Sequence, residues 1–161
     1  MPWPLPVSGL ELIMARRPGR SAGDRFLALD IDVLMKENPD RLVKALGPKV
    51  FEIHRQLRGE LHFVSLELSE CPDGAERAIS RFARVLRAAP EIGRRLWFKA
   101  TERTLNIGVE AGENEHAFEL VVGDGTVKIL SELKSRLVFT VYPAKKPKGA
   151  TAGRRSSSRR R

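Results

Sequence analysis

With 161 residues, 42% hydrophobic and 30% charged, the chain suits one domain with a full core, is too short for two of ordinary size, and is neither wholly disordered nor fibrous by composition. Lys and Arg number 29 against 20 Asp and Glu, a net charge of +9, but residues 145–161 carry eight of those bases and no acid, while residues 25–144 hold eighteen of each sign. The excess positive charge is therefore not a property of the body, and the single cysteine, Cys71, excludes an intrachain disulfide and a thiolate-rich zinc site.

Residues 1–24 combine Pro2, Pro4, Pro6, Pro18, Gly9, Gly19 and Gly23 with apolar residues of no fixed period, and are read as a disordered leader. Met14-Ala15-Arg16-Arg17 also reads as a native start, which leaves open whether residues 1–13 belong to the native protein. Residues 26–33 alternate as a strand, with Leu27, Leu29, Ile31 and Val33 expected inward and Phe26, Ala28, Asp30 and Asp32 outward. Asn38-Pro39-Asp40 supplies a helix start and Gly47 a stop, predicting a short helix over 39–46 with Leu42, Val43 and Leu46 inward.

Strands over about 50–57 and 60–68 follow, joined through Arg58-Gly59. This turn pairs Phe51 with Leu66 and Ile53 with Val64, placing Glu52, His54, Gln56, Ser65 and Glu67 on the outer face. Asp73 with Glu76 has capping-box spacing, and the apolar residues from Ala75 to Leu86 predict an amphipathic helix over about 74–88. Pro90 ends it and opens a second helical stretch, although Leu96 to Ala100 fits a strand equally well. Strands over 104–111 and 117–122 flank an acidic turn at Gly112-Glu113-Asn114-Glu115. A helix near 126–134 with Val127, Leu130 and Leu133 inward, and a strand through Leu137, Phe139 and Val141, close the fold. Residues 145–161, rich in Ser and basic residues, have nothing to bury and are read as a disordered tail. The domain thus occupies residues 25–144, and its alternating strands predict an α+β fold, an antiparallel or mixed sheet with helices on one face, ferredoxin-like in its first half.

The run Asn38-Pro39-Asp40-Arg41-Leu42-Val43-Lys44-Ala45-Leu46-Gly47, the helix from Ala75 to Leu86, and Leu130, Leu133, Leu137 and Tyr142 together resemble a family of small bacterial α+β domains of unknown function, over about residues 26–142. These are packing and turn positions, so the resemblance implies a fold and carries no activity.

Three constellations bear on function. Glu52, His54, Phe63 and Glu67 share the outer hairpin face, the one acid and imidazole cluster that the pattern builds and a candidate binding face. Asp30 and Asp32 read as two acids on a solvated strand face, and His54 and His62 point to opposite faces, so they do not share a metal. Arg77, Arg81, Arg84 and Arg87 form a stripe along the predicted long helix, with Arg94, Arg95, Trp97 and Phe98 beyond it. With Lys145, Lys146, Lys148, Arg154, Arg155, Arg159, Arg160 and Arg161, that stripe is a candidate nucleic-acid surface. Nucleophile-elbow, Walker, dinucleotide and paired-cysteine metal patterns are all missing. The reading is a cytoplasmic, non-enzymatic domain that binds a protein through its solvated sheet face, with no cofactor, metal or membrane. The alternatives are a nucleic-acid-associated protein using the basic helix and tail, and a small enzyme with its site on the outer hairpin face.

Overall fold

In a computed structural model, residues 26–111 and 120–143 are described. The expected leader, the tail, the acidic turn and the first part of the 117–122 strand lie outside those residues. In chain order the elements are β1 (Phe26–Met35), α1 (Asp40–Leu46), a 3₁₀ turn (Gly47–Lys49), β2 (Val50–Arg58), β3 (Leu61–Leu68), α2 (Ala75–Ala88), α3 (Glu91–Lys99), β4 (Glu102–Glu110), α4 (Asp124–Leu133) and β5 (Arg136–Tyr142). Leu96 to Lys99 are helical, and residues 120–122 form no strand.

The strands form one mixed sheet in the order β2-β3-β1-β4-β5. The first four pair antiparallel, and β5 lies parallel to β4. The order 2-3-1-4, with α1 between β1 and β2 and a helical pair between β3 and β4, is that of the split βαβ sandwich. The ferredoxin-like pattern therefore extends through β4, and α4 with β5 is an addition at one edge.

The core lies between the sheet and the helices. Leu29, Ile31, Val33, Leu66, Leu105 and Ile107 from the central strands meet Leu42, Ile79, Phe82, Leu86 and Trp97 from the helices. Phe82 and Trp97 are fully buried, edge to face with centroids 5.0 Å apart. The indole N–H of Trp97 donates to the Leu133 carbonyl at 3.0 Å, so the one polar atom of the largest core side chain is satisfied at the end of α4. Helices α1 and α3 approach so closely that a Cβ on Gly93 would stand 2.7 Å from the Cβ of Ala45.

Local chemistry accounts for the element ends, with some departures from expectation. Asn38 Oδ1 accepts from the Asp40 N–H at 2.9 Å, as the cap signal predicts. The capping box at Asp73 does not form, because Gly74, at φ 88°, precedes α2 with no side-chain cap. Glu76 instead reaches α4, where its Oε1 accepts from the Gly123 N–H at 2.7 Å and the Thr126 hydroxyl at 2.9 Å. In α4 itself Val127 is exposed and Thr126 and Leu133 are buried, so the helix is rotated from its expected setting.

Two bulges correct the predicted strand faces. One lies between Phe26 and Ala28 and turns Phe26 into the core beside Val109. The other lies between Glu52 and His54. Arg58 pairs with Leu61, so Gly59-Glu60 forms the turn, two positions from the predicted register. Beyond the bulge Phe51 pairs with Glu67 and Glu52 with Leu66. A bulge adds a residue to one strand and inverts every side chain past it. Phe51 therefore joins the helix-free face and Glu52 leaves it.

Candidate functional site: the open face of the sheet

Every described helix packs on one side of the sheet. The other side is built by alternate residues whose cross-strand pairing brings them into rows. Asp32 stands between Ser65 on β3 and Thr104 on β4, and Asp30 between Glu67 and Asn106. His54 on β2 faces Ser65 from the other side. The Ser65 hydroxyl donates to Asp32 Oδ1 at 2.5 Å, and the Thr140 hydroxyl donates to Asn106 Oδ1 at 2.8 Å.

Three carboxylates, Asp30, Asp32 and Glu67, thus share the centre of this face. Glu67 is 2% exposed and Ser65 6%, and Asp30 and Asp32, expected on a solvated face, stand half-buried beside them. Burial, reinforced by the charges of Asp32 and Glu67, pushes the Asp30 carboxyl up to about 7. Burial also raises Asp32, but the Ser65 hydrogen bond and the positive fields of Arg58 and His54 oppose the rise. Tyr142 crosses Gly108, where a Cβ would meet its ring at 3.4 Å. Burial and the two aspartates hold its hydroxyl above the usual phenol range.

An aromatic and basic border adjoins the acids. Phe63 is 7% exposed, with the Arg58 guanidinium 3.8 Å above its ring centre and the His54 ring 6.1 Å away. His54 Nε2 lies 3.3 Å from the Gln56 side-chain amide. Phe51 and Val138, both partly exposed, extend the apolar surface toward the two edges.

Of the predicted cluster, His54, Phe63 and Glu67 come together and Glu52 does not. The bulge sends Glu52 to the helical side, where it binds Arg55, which also pairs with Asp40 at 2.7 Å. Asp30, Asp32, Ser65 and Tyr142 complete the face in its place. The alternation of β1 showed that the two aspartates share a face, but only the strand order shows that β1 lies beside β3. The Ser65 proton is directed to Asp32 and not to an imidazole, so the row His54, Ser65, Asp32 is not an activated nucleophile. Among the described residues no three His, Cys, Asp or Glu side chains are grouped to hold a metal, and no helix is long and apolar enough to cross a membrane.

Of the arginine stripe along α2, Arg77, Arg84 and Arg87 are exposed and Arg81 half-buried, and only half of it is available. Arg81 pairs with Glu70 at 3.3 Å and Arg87 with Glu132 at 2.6 Å. Arg77 and Arg84 line a shallow groove between α2 and α4 with Ser80 and Thr126, and Arg84 also borders a second groove beside Lys49 and Pro48. Arg94 donates to the Ala89 carbonyl. Trp97 is buried and offers no stacking surface, whereas Phe98 is exposed. Lys145, Lys146, Lys148, Arg154, Arg155, Arg159, Arg160 and Arg161 lie outside the described residues. No family model, curated protein or solved structure matches the chain.

Proposed function

We propose that the protein is a non-enzymatic binding domain whose open sheet face takes up a basic segment of a partner protein. The observation that carries this reading is the row of Asp30, Asp32 and Glu67, the glutamate buried and the two aspartates half-buried, beside Phe63 and Tyr142 on the side of the sheet opposite every described helix. A carboxylate held away from water has lost hydration that an arriving Lys or Arg can replace, and Phe51 and Tyr142 offer apolar surface to its aliphatic stem. The single cysteine suits a reducing, cytoplasmic setting.

The nucleic-acid reading ranks second, supported by Arg77 and Arg84, which have no acidic partner among the described residues, and by the charge of residues 145–161. It is weaker because Arg81 and Arg87 are already neutralised by carboxylates from neighbouring elements. A photo-crosslinking residue placed at His54 or at Val138 in the full chain should capture the same protein from either position. The same residue at Arg84 should capture nothing in common with them. Nucleic acid captured at Arg77 and Arg84, with nothing captured on the sheet, would reverse the ranking.

A further inference from the structure

We propose that residues 145–161 of this chain are the resident occupant of the acidic open face, so that a partner gains access by displacing them. This inference rests on the binding-face reading and adds its regulation.

Four observations support it. The first is access. Phe51 and Val138 are exposed and Asp30 and Asp32 half-buried on a face that carries none of the described helices. The second is charge. The centre of the face holds three acids, with Arg58 and His54 at its border, and residues 145–161 carry eight bases and no acid, whereas residues 1–24 nearly balance, with Arg16, Arg17 and Arg20 against Glu11 and Asp24.

The third is the place where the chain leaves the fold. β5 ends at Tyr142, whose ring lies over Gly108 on this face and whose hydroxyl is affected by Asp30 and Asp32. Lys145 follows three residues later, within about 10 Å of chain, and the seventeen residues from there can span all five strands at about 4.8 Å each. The fourth is proximity itself. Tethering places the segment at an effective concentration in the millimolar range, so weak charge contacts suffice and no fold of the segment's own is required.

Zero-length carbodiimide coupling of the full chain, read by peptide mass spectrometry, tests this directly. The Lys145, Lys146 and Lys148 amines should join Asp30 or Asp32 at low salt. The yield should fall about tenfold by roughly 0.5 M salt, and the Asp30→Asn, Asp32→Asn double variant should lose those links while retaining its fold by circular dichroism. Competing duplex DNA should also suppress them. Links confined to carboxylates of the helical side, such as Glu70 or Glu132, would overturn the proposal, as would their complete absence. Coupling of the Met1 amine to Asp30 or Asp32 would assign the face to the leader and overturn it equally. Failure here is distinguishable from failure of the binding reading. If photo-capture at His54 and Val138 is equally efficient in the wild type and in a Lys145→Gln, Lys146→Gln, Lys148→Gln variant, the face binds a partner without being occluded.

Discussion

Replacing Asp30 by Asn should stabilise the protein at alkaline pH and leave it unchanged in acid. In the folded state the Asp30 carboxyl is held near 7 instead of its ordinary 3.8, by burial first and by Asp32 and Glu67 second. Between those values the folded protein retains a proton that the unfolded chain has released. Stability therefore falls as pH rises through this window, opposite to the behaviour of a salt-bridged acid. The full gap corresponds to about 4 kcal/mol above pH 7. Water at the edge of a half-buried site screens part of it, so about 2 kcal/mol is expected. Asn has the same shape and no charge. In chemical denaturation from pH 4 to 8.5 in about 0.5 M salt, which screens the charges of residues 145–161 from this face, the difference between variant and wild type should be near zero at pH 4, grow steadily, and level off above pH 7. A difference that is constant with pH, or that favours the wild type at pH 8, would show that the carboxyl sits in ordinary solvation and would refute the reading of this face as a desolvated acidic site.

Phe82→Ala removes a fully buried ring that packs edge to face on Trp97; a loss of about 3 to 5 kcal/mol is expected in urea unfolding. Gly93→Ala improves helix propensity by about 1 kcal/mol but places a Cβ 2.7 Å from that of Ala45, so a net loss of about 1 to 2 kcal/mol is expected, largely restored by Ala45→Gly in a double-mutant cycle. Glu76→Ala frees the Gly123 N–H and the Thr126 hydroxyl at the start of α4. It should cost about 1 kcal/mol and raise amide exchange across α4. Because those bonds hold the Glu76 carboxyl below its ordinary range, the difference should be full at neutral pH, begin to shrink only as pH falls below that ordinary range, and vanish once pH is below the lowered folded value.

How much of this was legible in the sequence depended on whether neighbours in sequence or in space decided it. Helix α1 was readable because Asn38, Pro39 and Gly47 act within a turn of their own positions. Helix α2 was readable because its apolar spacing is independent of what covers it. The hairpin pattern put His54, Phe63 and Glu67 on one face but misplaced Glu52 and missed the register, because the bulge before His54 leaves no mark in composition. Asp30 and Asp32 looked like surface acids because alternation reports which residues share a face, not how deeply that face lies. Their environment comes from Glu67, Ser65 and Tyr142, which are 33 or more positions away in the chain. The Glu76 contact with Gly123 is non-local in the same way, which is why a capping box was expected where an interhelical bond exists.

Arg103 shows what such non-local bonding does to the molecule as a whole. Its guanidinium donates to the carbonyls of Trp97, Phe98 and Ala100 at the end of α3 and to that of Lys134 just past α4. Two helix C-termini, each left with unsatisfied carbonyls by the geometry of the helix itself, are closed by one side chain on a strand. Both final turns, closed by their own backbone bonds, thus take a further cap from β4, and β4 lies between β1 and β5 in the finished sheet. The consequence is cooperativity: the ends of α3 and α4 should fray together, at the free energy of losing β4 and not at the smaller cost of unwinding a surface turn, so that hydrogen exchange would report them as one unit with the strand.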